Sequence, residues 1–456
     1  LGIGSLNGRV FVLGGFAMRI LLVSPRSEYP DVTPGWLRIP QMSLLILAAL
    51  TPSEHQVVAV EEEIEPVLVN GNWDLVGITV MTATATRAYS LADEFRRRGS
   101  KVVLGGIHAS VIPEEAAAHA DAVLVGEAEG AWGRILQDAQ NNNLQRIYRN
   151  SQPNIDEMPF VHYNNHKRRV FAPSTVPVVA SRGCPHACEF CCVHRVYGRR
   201  LRQLPVDRVL EQIRHSSANW VVFLDDNLGV NREWALELFA GLRPFDLKFL
   251  AQVSVGFVLD DTLFDEAVTA GLKGVFVGVE TIDENGLANF RKSVPLEGYV
   301  EAINRCRAAG VLFHAALIFG MDEHDKSIFS RTLDFIKKYK VPSVSSYVMT
   351  PYPGTPLFDR MIDEGRLLHQ DWQFYDHVTP VFRPALMNLR DLAEGYMQFR
   401  RELLSLRGIL SRLPSQIRRH PFSYLGLSMG LRRTSILLRE HYKRYFSWLE
   451  YNRLSP

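Results

Sequence analysis

The sequence predicts an α/β protein in three parts. A doubly wound parallel sheet comes first, a partial (β/α)6 barrel second, and a mainly helical region last. Three observations predict this. Short apolar runs alternate with amphipathic stretches from Met18 onward, as they do in chains that wind helices around a parallel sheet. Polar residues gather where the predicted strands end. Strand-like runs then give way to helical patterns over residues 389–456.

Composition narrows the class. A chain of 456 residues has room for two or three domains. Its apolar share of 46 % and charged share of 22 % are those of ordinary globular proteins. A net charge of +2 gives no global nucleic-acid footprint. No apolar run approaches the roughly 20 residues of a membrane span. Four of the five cysteines fall within Ser181 to Tyr197, which suits a reducing compartment, so a cytoplasmic location is expected. Met18 opens MRILLVSP and reads as a start, with residues 1–17 an upstream extension without structure.

The first domain is expected over residues 18–144. Its strands read Ile20 to Val23, Val57 to Val60, Leu75 to Thr79, Val102 to Leu104 and Ala122 to Val125. Ser43 to Leu50 is a short apolar helix. Ala85 to Arg98 is another, ending in three arginines where positive charge suits the helix dipole. Ligands on such sheets bind past the carboxyl ends of the strands. The loops there are Ser24-Pro25-Arg26, Thr79 to Thr84, Gly105-Gly106-Ile107-His108 and Gly126-Glu127. The paired glycines would let a bulky ligand approach the backbone.

Residues 145–175, rich in Asn, Pro, Arg and Lys, read as a linker. Over residues 176–375 come six strand–helix units. The strands are Val176–Ser181, Trp220–Leu224, Phe249–Val253, Val275–Val279, Leu312–Phe319 and Ser343–Met349. Pro205 to His215 is a helix opened by a first-turn proline. The stretch from Glu323, EHDKSIFSRTLDFIKKY, is an amphipathic helix with acids first and lysines last. Six units are two short of a full (β/α)8 barrel. The rim residues are Asp225, Asp226 and Asn227, then Gln252 and Ser254, Glu280, Gly320, and Thr350 to Pro356. Catalysis in barrels happens at that rim, although each of these residues is also a good helix cap or turn former.

Between the first and second of these strands lies SRGCPHACEFCCVHRVY, Ser181 to Tyr197. Cys184, Cys188 and Cys191 stand as C-x3-C-x2-C. Closely spaced thiolates are soft ligands for an iron–sulfur cluster or zinc. A [4Fe–4S] cluster ordinarily takes four cysteines, so three leave one iron with an open position. A structural zinc site would need a fourth ligand from Cys192, His186 or His194. A disulfide is the remaining alternative on paper. Cys306, in INRCRAAG, reads as a packed or surface thiol.

C-x3-C with Phe190 just before the third cysteine resembles the signature of the radical S-adenosylmethionine (radical SAM) superfamily. The resemblance implies a [4Fe–4S] cluster on Cys184, Cys188 and Cys191, with SAM on the open iron, cleaved to a 5′-deoxyadenosyl radical. It implies SAM contacts from Phe190, Asp225, Asp226, Asn227, Gln252, Ser254, Glu280 and Gly320. Glu280 in GVE fits that pattern best. The first half, through GGIHASVIPEEA and DAVLVGEAE, resembles the cobalamin (B12)-binding domain that precedes the radical SAM core in one subfamily. That implies cobalamin contacts from Ser24, Thr79, Thr82, Gly105, Gly106, His108, Gly126 and Glu127. The D-x-H-x-x-G motif is absent, so cobalamin is expected without a histidine on cobalt. His108 then reads as a hydrogen-bonded residue of the turn. A bare partner-binding domain is the alternative for this sheet.

TPYPGTPLFDRMIDEGRLL and DWQFYDHVTPVF extend the resemblance to about residue 380. The implied reaction is methyl transfer from methylcobalamin to an unactivated carbon. The alternatives are a non-methylating cyclase or ring-rearranging oxidase with the same cofactors, and a non-catalytic cobalamin- or cluster-binding regulator. The implied partners are a small-molecule or lipid-like substrate and an electron donor such as flavodoxin or ferredoxin. No nucleic-acid partner is expected. The helical region, residues 376–456, carries eleven Lys/Arg against three Asp/Glu between Arg401 and Arg453, with aromatics interleaved. It reads as a helical cap on the barrel, or as a peripheral contact with an anionic membrane.

Overall fold

The structure, a computed structural model, describes residues 4–6, 9–11, 17–27, 39–163, 175–216, 218–289, 294–412 and 421–454. Parts of the expected linker (164–174) and of the helical tail (413–420) lie outside the described residues. The described residues fall into two compact units: residues 17–26, 41–81 and 85–161 belong to the first, and residues 82–84 with those from His162 onward to the second.

The residues read as an extension without structure include two short strands, β1 (Gly4–Leu6) and β2 (Arg9–Phe11), paired antiparallel. The first unit's main sheet has strands β3 (Arg19–Ser24), β4 (Gln56–Glu61), β5 (Leu75–Thr79), β6 (Lys101–Gly105), β7 (Ala122–Gly126) and β8 (Ile147–Asn150). Their order is β4-β3-β5-β6-β7-β8 and every pairing is parallel. Helices α1 (Met42–Leu50), α2 (Ala85–Arg97), α3 (Ile107–Val111), α4 (Pro113–His119) and α5 (Trp132–Gln140) connect them. β3 and β5 are buried over nearly their whole length, as parallel strands covered on both faces are. Trp132 of α5 is buried in the core and donates to Thr51 Oγ1 at 2.8 Å. β8 was not anticipated: it lies in the stretch read as linker. It is an edge strand with one buried side chain, Tyr148, and so lacks an apolar run.

The second unit is built on β9 (Thr175–Val178), β12 (Trp220–Phe223), β13 (Lys248–Val253), β14 (Leu272–Glu280), β15 (Leu312–Phe319) and β16 (Ser343–Val348). They lie side by side in sequence order, all parallel, as an open six-stranded sheet. This is the expected partial barrel. A small antiparallel pair, β10 (Ser181–Arg182) and β11 (Arg202–Gln203), closes the base of the cysteine loop. The helices are α6 (Val193–Val196), α7 (Val206–Ser216), α8 (Arg232–Leu242), α9 (Val255–Leu259), α10 (Asp261–Thr269), α11 (Glu284–Asn289), α12 (Leu296–Ala309), α13 (Ile328–Tyr339) and α14 (Pro356–Asp363). α13 begins five residues later than Glu323. Asp325 instead accepts from Ser327 N at 2.8 Å and Oγ at 2.6 Å, a local turn that competes with helix.

The tail forms α15 (Leu389–Leu403), α16 (Leu406–Ser411) and α17 (Pro421–Tyr451). A reciprocal cap between Asn388 and Asp391 starts α15. Two of the interleaved aromatics of α17, Tyr442 and Tyr445, turn inward, while Tyr451 is exposed. Tyr442 and Tyr445 are buried and donate to the carbonyls of Val378 (2.6 Å) and Pro380 (2.8 Å). Among the described residues no helix is long and apolar enough to cross a membrane.

Candidate functional site

The rim of the first sheet is shaped by backbone. Ser24, Thr79, Gly105 and Gly126 end β3, β5, β6 and β7. The turn after β6 is pinned to the turn after β5: Val80 N donates to Gly105 O (2.7 Å) and His108 N to Val80 O (3.0 Å). Gly106 has φ +98°, and a Cβ there would lie 2.8 Å from Val80 N. A Cβ on Gly126, φ +95°, would collide with Asn150 O. These glycines thus permit close approach by the chain itself. Ser110 joins the two turns, donating to Gly106 O (2.8 Å) and accepting from Gly126 N (2.9 Å). Glu127 is buried, and Asn150 Nδ2 donates to its carbonyl (2.9 Å). Thr82 is buried in a 3-10 turn. His108 is fully buried with Nε2 3.4 Å from Glu115 Oε1.

The rim of the barrel is shaped by side chains. Cys184, Cys188 and Cys191 are half-buried on the loop between β10 and α6 and form no disulfide. Cys191 N donates to Cys188 O at 3.1 Å. Burial pushes the Cys191 thiol up to about 12 and raises Cys192 as well. Metal binding would therefore have to displace protons from this loop. Cys306 is fully buried in α12, which makes it the packed rather than the surface thiol of the two readings. Among the described residues no three His, Cys, Asp or Glu are spaced for one metal ion. Thiolates that each hold a different iron of a cluster need no such convergence.

The loop is held from both sides. Gly183 has φ +90°, and a Cβ there would overlap Arg200 O. Glu189, between the second and third cysteines, accepts from Leu357 N (3.1 Å) and from Arg360 (2.9 Å). Arg360 also donates to Asp322 (2.6 Å), which Arg366 holds from its other side (2.6 Å). Asp322 is held below the usual carboxylate range; burial raises its pKa and the two arginines outweigh it. This clamp was not foreseen, because its partners are up to 171 residues apart in sequence.

The predicted rim residues do come together at one edge, in different roles. Asp225 is buried, with Oδ2 accepting from Ala180 N (3.2 Å) and Oδ1 from Ser181 Oγ (2.5 Å). It braces the first two barrel strands, and burial pushes it up to about 7. Asp226 is half-buried and pushed up to about 6 by burial. Asn227 accepts from Ser254 N (3.1 Å), and Gln252 Nε2 donates to Asp226 O (3.0 Å). Phe190 is half-buried in the cysteine loop. Glu280 sits at a β14 irregularity with φ +66°, a conformation non-glycine residues rarely adopt. His324, unforeseen, pins the neighbouring turns: Gly320 N donates to Nδ1 (3.3 Å), and Nε2 lies 2.9 Å from Thr281 Oγ1. Burial lowers its pKa to about 4, so it is neutral.

These residues fit the implied groups. Three soft thiols share one clamped loop. Among the described residues the Tyr299 hydroxyl is buried without a hydrogen-bond partner, in the neighbourhood of Glu280 and Cys188. An orphan donor facing a rim of this kind is what an incoming polar ligand satisfies.

Residues 178–336 match the Radical SAM superfamily and residues 39–136 the B12 binding domain. The chain is 32 % identical to bacteriochlorophyllide d C-8(2)-methyltransferase of Chlorobaculum tepidum, over 75 % of this chain and 80 % of that protein. It is 27 % identical to the bacteriochlorophyllide d C-12(1)-methyltransferase of the same organism, over 86 % and 89 %. Among solved structures, the cobalamin-dependent S-adenosylmethionine radical enzyme OxsB, with aqua-cobalamin bound, superposes with a TM-score of 0.67 at 14 % identity. That match covers 96 % of this chain and 76 % of OxsB. Domain order, fold and relatives agree. The chain belongs to the cobalamin-binding radical SAM enzymes, as a C-methyltransferase that uses a [4Fe–4S] cluster, S-adenosylmethionine and cobalamin.

Proposed function

We propose that this enzyme methylates a side-chain carbon of a magnesium tetrapyrrole. The observation that carries the reading is the similarity, over most of both chains, to two methyltransferases named for bacteriochlorophyllide d. Bacteriochlorophyllides are magnesium tetrapyrroles. In this reading Cys184, Cys188 and Cys191 hold the cluster. Phe190, Asp226, Gln252, Ser254, Glu280 and Gly320 face SAM, with Asp225 and Asn227 bracing that rim. Ser24, Thr79, Thr82, Gly105, Gly106, Gly126 and Glu127 form the cobalamin side, and His108 stays a packed side chain. Bound together, the cofactors supply a radical able to abstract hydrogen from carbon and a methyl group to replace it. The protein's part is to orient the substrate and exclude water. An external donor of flavodoxin or ferredoxin type supplies electrons.

The inward-facing aromatics of α17 favour the tail as a cap over a membrane contact. The test is anaerobic incubation of reconstituted enzyme with SAM, a low-potential reductant and a panel of bacteriochlorophyllides and hopanoids. One tetrapyrrole should gain a CH2 unit. Methylation of a hopanoid alone would refute the tetrapyrrole assignment. Loss of hydrogen without a methyl gain would favour a cyclase.

A further inference from the structure

The barrel's last strand, β16, ends the sheet order among the described residues. Past its carboxyl end the chain returns, and Val348 N donates to His377 O at 2.7 Å. The returning turn is held by hydrogen bonds. Asp376 Oδ1 accepts from Val378 N (3.0 Å) and Thr379 N (2.8 Å). Its Oδ2 accepts from Thr379 Oγ1 (3.0 Å) and lies 3.2 Å from His441 Nε2 of α17. Tyr442 and Tyr445 of the same helix hold the carbonyls of Val378 and Pro380. The C-terminal helix is thus the buttress of residues 376–380.

Within this turn His377 stands apart. Val378, Thr379 and Pro380 are buried, whereas His377 is exposed. Its φ is +64°, a strained backbone for a residue with a Cβ, which persists only where the surroundings impose it. Its ring is accessible to solvent, while desolvation by the surrounding protein lowers its pKa. Tyr347 packs edge-on at 5.5 Å and Tyr352 at 5.1 Å. Tyr347 shares a face of β16 with Ser345, two residues before it, whose Oγ lies 2.7 Å from His314 Nε2. His314 in turn stacks on Phe276 at 4.6 Å. Phe276, His314 and Tyr347 therefore share one face of β14, β15 and β16, a wall on which Tyr347 stands nearest the carboxyl end and packs on His377.

The Tyr352 hydroxyl lies 3.0 Å from Nδ1 and 2.9 Å from Nε2 of His377, and donates to Tyr375 O at 3.1 Å. One oxygen nearly equidistant from both ring nitrogens lies off the in-plane direction of each, so Tyr352 packs on His377 without capping either nitrogen, and a ring nitrogen can ligate in the imidazole plane.

We propose that His377 is the axial ligand to the central metal of a magnesium tetrapyrrole bound against the Phe276–His314–Tyr347 wall. The inference rests on the substrate reading above. It assigns a site in the substrate, distinct from the cluster and cobalamin. It also gives α17 a purpose: fixing the turn that presents the ligand.

The test uses cluster- and cobalamin-loaded enzyme and two probes, zinc chlorophyllide and the same macrocycle without metal. Imidazole is a good zinc ligand. Wild-type enzyme should bind the zinc form roughly tenfold more tightly than the metal-free form. The zinc chlorin's longest-wavelength band should shift as a fifth ligand joins. His377→Gly suits the positive φ and so avoids a folding defect. It should bring the two affinities together and abolish the shift, which added imidazole should restore. A His377→Gly enzyme that keeps the wild-type preference and shift overturns the ligand assignment while leaving the substrate reading standing. If wild-type enzyme binds neither macrocycle, the substrate reading fails and the inference with it.

Discussion

Among the described residues stand two parallel six-stranded sheets, and their carboxyl-end rims are built on opposite principles. The rim of the first is backbone. Gly106 and Gly126 sit at positive φ, where any Cβ would strike Val80 or Asn150, and the turns are tied through Ser110. Such a rim offers a close backbone surface, suited to a broad cofactor. The rim of the barrel is ionisable side chains whose pKa values burial has displaced: Asp225, Asp226, Cys191 and His324. That rim suits charged ligands and a metal cluster. One architecture thus provides two kinds of site, and the choice lies in loop residues rather than in the strands.

The contrast is broken most severely at the thiols. Replacing Cys184, Cys188 or Cys191 by Ala should abolish cluster assembly, seen as loss of bound iron from about four per chain and loss of SAM cleavage. Cys306→Ala should keep its iron and lose only about 1–2 kcal/mol of stability. Equal iron content in Cys188→Ala and Cys306→Ala would place the cluster elsewhere. On the backbone rim, Gly106→Ala should cost roughly 1–3 kcal/mol from φ alone, and more from the contact with Val80. Cobalamin retention should fall while iron content stays. Retained cobalamin with an unchanged melting temperature would contradict a backbone-built rim.

The buried carboxylate gives a smaller, pH-dependent effect. Asp225 is raised by burial from 3.8 to about 7. Between these values the folded chain holds a proton that the unfolded chain has released. Stability should therefore fall as pH rises from about 4 to about 7, by an amount on the order of 2–4 kcal/mol. Asp225→Asn should flatten that slope in chemical denaturation. His324, lowered by burial from 6.5 to about 4, has the opposite sign. Its contribution is present above pH 6.5 and lost as pH falls toward 4. His324→Ala should remove that dependence and cost roughly 1–3 kcal/mol.

Much of this was readable in the sequence, for a physical reason. Parallel strands buried on both faces appear as continuous apolar runs, so Leu75–Thr79 and Leu312–Phe319 were located to the residue. The edge strand Ile147–Asn150 has one buried side chain and left no such run. The cysteine spacing is local and showed itself directly. The clamp Glu189–Arg360–Asp322 and the brace Asp225–Ser181 join distant positions, and no periodicity reports that. The tail's charge and aromatics were visible, but their direction was not. Tyr442 and Tyr445 face the turn that holds His377.

The two-rim account is tested most directly by following methyl-deuterated SAM through the reaction, with and without cobalamin. The account predicts that the barrel rim alone cleaves SAM, so 5′-deoxyadenosine should form in both samples. Labelled methyl should appear in the tetrapyrrole only when cobalamin is bound. Label transfer in the absence of cobalamin, or with no 5′-deoxyadenosine formed, would contradict the division of labour between the two sheets.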